Sequence, residues 1–303
     1  MTRVPQISFL ADGRRLHLQD GPIDLIVEAH GSDTNLRAAY DAAARRFTGL
    51  LDELCEELPA LRKPADATRC TLQGKVARRM HAAVAPFAVE HFITPMAAVA
   101  GAVAEEILGA MVHSAGLERA YVNNGGDIAL HLADGEHFTV GLMDRPDQGG
   151  SMQTTIIRSG VPTRGVATSG WRGRSFSLGI ADAVTVLAGT ASQADAAATI
   201  IANSVDLPGH PAIIRCPAWD LQPDSDLGAR LVTRDVGDLS AREIRDALEA
   251  GAGCARKLLA LGVIEGAALR LHGETRVVPL KGLYGVEPHA ALHRGEMESA
   301  MHA

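Results

Sequence analysis

Apolar and polar residues alternate in Leu16-His17-Leu18-Gln19 and again through Asp24–His30, with Asp20-Gly21-Pro22 between them as turn chemistry. Period-two patterning on both sides of a turn predicts two paired strands. From Asp33 to about Leu58 the period lengthens: Leu36, Tyr40, Phe47, Leu51 and Leu54 recur at spacings of three, four or seven, which predicts one long amphipathic helix. Pro59 and Pro64 bracket a loop, and Val76 to Val89 reads as helical until Pro86 kinks or ends it. Thr94-Pro95 then supplies a cap and a first turn for a helix through Ala97 to about Ser114.

Past that helix the period returns to two. Residues 120–124, 127–132 and 137–143 predict an antiparallel meander with corners at Gly125-Gly126 and Asp134-Gly135. Further strands are expected at 153–157, 165–169 and 183–188, followed by a small-residue helix from Ser192 to Ser204. Residues 205–238, rich in Pro and Asp, read as an extended excursion. Ser240 and Glu243 have capping-box spacing and open a helix to about Leu261. Two closing strands flank His272-Gly273, and residues 281–303 read as a polar, weakly ordered tail. Strands mixed with long helices, without regular βαβ alternation, indicate an α+β fold. The expected organisation is a single domain over residues 1–280 followed by the tail.

Composition narrows the function. The chain has 303 residues, a formal charge of −7 and 4% aromatic residues, which argues against a nucleic-acid partner: few clustered cations and few rings for stacking. Alanine is about one residue in six and glycine numbers 31, so backbones can approach one another and a ligand closely. Cys55, Cys70, Cys216 and Cys254 form no CxxC pair and read as reduced, separate thiols. The first fifteen residues lack the apolar stretch of a leader and carry no lipobox cysteine, and the run from Phe92 to Ala104 is too short to span a bilayer. The expectation is a cytoplasmic protein with no membrane partner.

Three constellations could carry chemistry. In Asn123-Asn124-Gly125-Gly126-Asp127, paired glycines expose backbone amides beside side chains that bind polar atoms or a cation, although a plain hairpin corner uses the same residues. Asp195 and Thr199, four apart on a helix, project oxygens from one face and could ligate a hard cation such as Mg²⁺. A dipole-favoured acid and a threonine bonded back to its own helix explain them equally well. The strand end Thr168-Ser169-Gly170 offers hydroxyls and amides to a phosphate, or forms an ordinary turn. Asp220, Asp224 and Asp226 make a weaker acidic cluster, His81 and His91 are isolated histidines, and no GxSxG nucleophile elbow is present.

The order of these motifs adds specificity. TPMAAVAGAVAEE, NNGGDI, VATSG and VTVLA leading into ADAAAT follow one another over residues 94–204, and this succession resembles the ApbE family of flavin transferases. The flanking regions, including PDSDLGARLVT, are similar to a shorter, largely uncharacterised branch of that superfamily. The resemblance implies a duplicated T-fold with antiparallel sheets backed by long helices. It also implies Mg²⁺-dependent transfer of FMN from FAD to a threonine of a protein substrate. Carried over by position, the implied metal ligands are the Ala97 carbonyl, Asp195 and Thr199. Asn124, Gly125, Gly126 and Asp127 would line the nucleotide pocket, with Thr168, Ser169 and Gly170 on another wall. Where the family pattern has Lys and Tyr this chain has Ala100 and Ala102, and the family's acid falls on Thr94. The family's HxxDPxTG segment is replaced by Trp171–Gly179, where Arg172 and Arg174 are candidate phosphate contacts. Two expectations therefore stand. One is a protein that binds a divalent cation and a small anionic ligand, FAD or FMN among the candidates, with transferase-like activity. The other is the same fold without transferase activity, as an accessory protein in sulfur-amino-acid (homocysteine) metabolism. A homo-oligomer is left open.

Overall fold

In the computed structural model, residues 4–142 and 153–278 are described. The tail expected at 281–303 lies outside them, as do Met143 and the last two residues of the final strand. Nine strands make one antiparallel sheet in the order β1 (Gln6–Phe9), β2 (Leu16–Asp20), β3 (Ile23–His30), β4 (Arg119–Asn124), β5 (Asp127–Leu132), β8 (Gly165–Ser169), β9 (Ala183–Ala188), β12 (Gly266–Leu271) and β13 (Glu274–Val278). Two separate hairpins stand apart from it, β6 (His137–Leu142) with β7 (Gln153–Arg158) and β10 (Ile213–Pro217) with β11 (Leu231–Val236). The fold is α+β, as the alternating and helical periods predict.

Helices cover one face of the sheet. Between β3 and β4 run α1 (Asp33–Phe47), α2 (Leu50–Glu56), α3 (Leu58–Leu61), α4 (Lys75–Val84) and α5 (Val99–Ser114). Between β9 and β12 run α6 (Ala191–Ser204), α7 (Ala218–Leu221) and α8 (Ala241–Ala260). A strand pair, a layer of helices and a second strand pair thus occur twice, first as β2-β3-helices-β4-β5 and then as β8-β9-helices-β12-β13. The two series are joined by β5 and β8, whose ladder has two residue pairs, Ile128 with Val166 and Ala129 with Gly165. Strand alternation sends Leu25, Val27, Val122, Ala167, Val186 and Leu269 into the core beneath the helices. It sends Leu130, Leu132, Val166 and Leu187 to the opposite face, where they pack with Ile157 of β7.

The differences from the sequence reading have local causes. The helix expected from Asp33 to Leu58 breaks at Thr48-Gly49, because Thr48, whose N–H and Oγ1 both donate to the Ala44 carbonyl, turns extended at ψ 119° and Gly49 takes φ 85°. The third strand of the expected meander leaves the main sheet: β6 pairs with β7, and β8 takes the place beside β5. Residues 205–238 are not an open excursion but contain β10, α7 and β11, and the edge strand β1, Gln6-Ile7-Ser8-Phe9, was not anticipated: its alternation lasts four residues and both of its faces are exposed. Of the two expected caps, Ser240 with Glu243 closes a complete capping box, whereas Thr94 makes no cap hydrogen bond and its hydroxyl donates to Asp226 instead. Ser32, accepting from Asn35 N–H, and Thr190, accepting from Gln193 N–H, cap their helices without having been anticipated. Helix α5 with its preceding turn, residues 95–114, is long and apolar enough to cross a membrane, but more than half of that stretch is buried inside the fold as a core helix.

Candidate functional site

Helix α5 begins irregularly. Pro95 to Ala98 form a 3-10 turn, and Ala98 sits at φ −132° and ψ 14° before regular helix starts at Val99. In a continuous helix the Gly101 N–H would bond to the carbonyl of Ala97. Here it donates to Asp195 Oδ2 at 3.0 Å, so the Ala97 carbonyl loses its usual partner. Gly101 is also where α5 and α6 cross. A Cβ there would stand 2.4 Å from the Ala191 carbonyl oxygen, so no larger residue allows this approach.

The β4–β5 corner reaches the same place from the sheet. Gly125 and Gly126 take φ 65° and 110°, conformations that glycine adopts without strain, and Asn123 Oδ1 accepts from Gly126 N–H at 2.8 Å. Asn124 Nδ2 donates across to the Ala100 carbonyl at 3.2 Å, tying the corner to the start of α5. Asp127 accepts from Thr168 N–H at 3.2 Å, and Thr168 Oγ1 shares a 2.9 Å hydrogen bond with Thr185 Oγ1. The elements therefore bring Ala97, Ala100, Asn124, Asp127, Thr168 and Asp195 around one point where the two series of strands and helices meet.

Electrostatics mark that point. Burial pushes the Asp127 carboxyl up to about 7 against the opposing Thr168 N–H bond. Burial and then the charge of Asp127 push Asp195 well above the usual carboxylate range, although the Gly101 and Ala100 amides act in the opposite direction. Asp127 thus raises Asp195, and both residues are half-buried. A cation between them would relieve both. Thr199 lies one turn further along α6, half-buried, and its hydroxyl makes no hydrogen bond among the described residues. The hydroxyl of Ser204, on the same helix, does bond back, to the Ile200 carbonyl at 2.9 Å. The oxygens that could serve a cation here are the two carboxylates, the Ala97 carbonyl and the Thr199 hydroxyl, all hard. Among the described residues no three His, Cys, Asp or Glu side chains gather as a metal-binding group, so a cation here would need the carbonyl and hydroxyl as well.

Other sequence candidates fall at varying distances from this centre. Ser169 ends β8 opposite Val184, and Gly170 packs so tightly that a Cβ would meet the Asp182 carbonyl oxygen at 2.5 Å. Ala100 belongs to the site through its backbone, whereas Ala102 is fully buried and its carbonyl accepts from Arg79 at 3.2 Å. Arg172 is engaged elsewhere, paired with Asp182 at 2.7 Å and stacked 4.3 Å from the Trp171 ring. Arg174 lies against the glycine corner: its Nη1 is 3.5 Å from where a Gly125 Cβ would stand. The acidic cluster is dispersed, with Asp224 paired to Arg62 at 2.8 Å and Asp226 accepting from Thr94 Oγ1 at 2.5 Å. His81 is buried with its Nε2 unpartnered, and His91 is exposed. A recess of about 250 Å³, lined by Arg79, Glu105, His113, His131, Arg164 and Thr190, lies towards the other end of β5 from the glycine corner. Its arginines are already held, Arg164 by three backbone carbonyls and Arg79 by Glu105 and Glu106, so the glycine corner remains the better chemical candidate.

Sequence reasoning missed two features. The sequence reading places Asp127 on the wall of a nucleotide pocket and not beside Asp195, because 67 residues of intervening chain hide the pairing. The Thr94–Asp226 bond spans 132 residues and had no local signal at all.

Comparison with known proteins follows this geometry. Residues 7–277 match a family model described as AbpE bacteria, an ApbE-like family. A UPF0280 protein of Methanothermobacter thermautotrophicus is 42% identical over 117 residues, covering 38% of this chain and 44% of that protein. One from Methanopyrus kandleri is 43% identical over 136 residues, 44% of this chain and 51% of its own. One from Methanocella arvoryzae is 35% identical over 168 residues, 53% of this chain and 63% of its own. The chain spans about half the length of the curated relatives it matches first.

Proposed function

The chain belongs to the ApbE-like family described as AbpE bacteria, and from that premise we propose that it binds a divalent cation together with a small phosphate-bearing ligand at the α5–α6 crossing. What supports this reading is the proximity of the buried carboxyls Asp127 and Asp195 at the start of α5, where Asp195 takes the Gly101 N–H that would otherwise serve the Ala97 carbonyl. The repeated order of strand pair, helices and strand pair supports reading the fold as a duplicated T-fold, with the site between the two copies.

Ala97, Asp195 and Thr199, with Asp127 beside them, would hold Mg²⁺. Bound there, the cation would neutralise phosphate charge and favour phosphoryl-type transfer. The remaining work belongs to the chain. Asp195 fixes the start of α5 through Gly101 and leaves the Ala97 carbonyl facing no helical partner. Asn124 holds the corner against Ala100. The Thr168–Asp127 bond keeps the second carboxylate in place as charge at the site changes. As an enzyme, such a site would transfer FMN from FAD to a protein substrate in the cytoplasm.

A second reading is favoured by Ala100 and Ala102. With Ala102 fully buried, the family's ring has no space there, so the site would bind its ligand without transferring flavin, as an accessory protein in homocysteine-related metabolism. Purified protein incubated with FAD and Mg²⁺ separates the two. Release or transfer of FMN by wild type and its loss in Asp195→Ala supports the transferase. Calorimetric Mg²⁺ binding without FMN release supports the accessory reading, and no Mg²⁺ binding by the wild type overturns both.

A further inference from the structure

We propose that the recess at the far end of the β5–β8 seam is a second ligand site. It takes a small carboxylic acid, with the carboxylate on Arg164 and the apolar body against α5. Three observations carry this, and none involves the glycine corner.

The first is how the recess arises. The ladder between β5 and β8 stops at Ala129 and Gly165. Leu130 N–H still donates to the Arg164 carbonyl at 2.9 Å, but the Arg164 N–H turns to the Ala188 carbonyl at 3.0 Å. Past that point β5 has no ladder partner from β8, and a recess of about 250 Å³ opens between the end of β5, the second half of α5 and the Gly189-Thr190 link. Both halves of the fold therefore contribute walls.

The second is Gly109, which lines the recess from the second half of α5. Glycine weakens a helix interior more than any residue except proline. Packing does not require it here, because a Cβ at 109 would meet nothing within 4 Å. Gly101, on the same helix, is the contrast: a Cβ there would stand 2.4 Å from the Ala191 carbonyl oxygen. Beside Gly109 the missing side chain leaves room for a ligand at the helix backbone.

The third is charge. Arg164 is half-buried; its Nη1 donates to the Val161 and Thr163 carbonyls, each at 2.7 Å, and its Nη2 to the Ser159 carbonyl at 2.8 Å. These bonds fix the guanidinium without neutralising it, and no carboxylate pairs with it among the described residues. Of its five donors, Nε–H and one Nη2 proton have no acceptor there, which suits the two oxygens of a carboxylate. Glu105, the carboxylate of the recess, is already used by the Ser192 N–H at 2.6 Å and by Arg79 Nε at 3.0 Å. Thr190 caps α6 at the recess, so the positive end of that helix faces the same space. Leu108 and Val112, one turn apart on α5, add an apolar wall that inorganic phosphate would leave unused. The volume is below that of pockets for drug-sized ligands, which limits the occupant to a short-chain acid.

The test uses the full chain in metal-free buffer, with butyrate, n-butylamine and inorganic phosphate as probes and calorimetry for affinity. Wild type should bind butyrate with a Kd of about millimolar and should bind butylamine and phosphate roughly tenfold more weakly or not at all. Gly109→Leu should fill the recess, keep or raise the urea midpoint, and weaken butyrate binding roughly tenfold or more. Arg164→Lys keeps the charge but not the planar fork and should weaken it several-fold. The inference is overturned if wild type binds no butyrate, if butylamine or phosphate binds as well as butyrate, or if butyrate affinity is unchanged in Gly109→Leu or in Arg164→Lys. An unfolded Gly109→Leu also overturns it, since the space beside that residue would then not be open.

Discussion

Replacing Asp127 by asparagine should stabilise this protein, and the gain should grow with pH. Native Asp127 keeps its proton up to about 7, while a solvated aspartate releases it near 3.8. Between those values the native state binds more protons than the unfolded chain, so stability is full below about 3.8 and falls as pH rises through about 7. At about 1.4 kcal/mol per pH unit the whole interval corresponds to a ceiling of about 4 kcal/mol, of which about 2.5 lies between pH 5 and pH 8. Asparagine keeps the oxygen that accepts from Thr168 N–H and removes the charge that burial opposes. Urea unfolding of wild type and Asp127→Asn in EDTA at both pH values reads the difference directly. Asp127→Asn should exceed wild type by a margin that widens from pH 5 to pH 8, and 10 mM Mg²⁺ should narrow it by stabilising wild type alone. An unchanged margin between the two pH values would refute the claim that this carboxylate is held protonated by its surroundings.

The other predictions concern the frame around the site. Gly101→Ala forces α5 and α6 apart at a 2.4 Å approach and should cost about 2 kcal/mol or more in urea unfolding, with weaker Mn²⁺ binding in the same variant. Glu106, buried and bonded to Arg46, Lys75 and Arg79, titrates at about 2 instead of 4.5, so its contribution is present above about 4.5 and lost as pH falls towards 2. Glu106→Gln should lose roughly 3 kcal/mol at pH 7 by circular-dichroism-monitored unfolding and show a smaller loss at pH 3. Asp226→Ala removes the bond to Thr94 and should make the segment 205–238 the first to be cut in limited proteolysis, at a rate several-fold above wild type.

Elements were legible where period and caps agreed. The alternation in Leu16–His30, the small-residue run at α6 and the Ser240–Glu243 box each fix a local structure that packing had no reason to change. The single break at Thr48-Gly49 was hidden because the apolar spacing of Leu51 and Leu54 continues the phase of Phe47 across it. Sheet order was not legible, since β6 and β8 both alternate and nothing in either says which lies beside β5. The candidate site was half legible. Asn124, Gly125, Gly126 and Asp195 announced themselves by residue type and motif order. The effect of Asp127 on Asp195, the different fates of Arg172 and Arg174, and the return of Asp226 to Thr94 depend on distances that only the folded chain sets.

The two-pair ladder between β5 and β8 has a mechanical meaning. Neighbouring strands elsewhere in the main sheet are stitched by four to six residue pairs, so this joint is the least stitched line across the molecule. Helix α5 belongs to one side of the line and α6 to the other, and Asp195 clasps them by reaching across to Gly101. The Asp195–Gly101 bond therefore adds, on the helix side, a tie between two halves that the sheet itself joins by the fewest pairs.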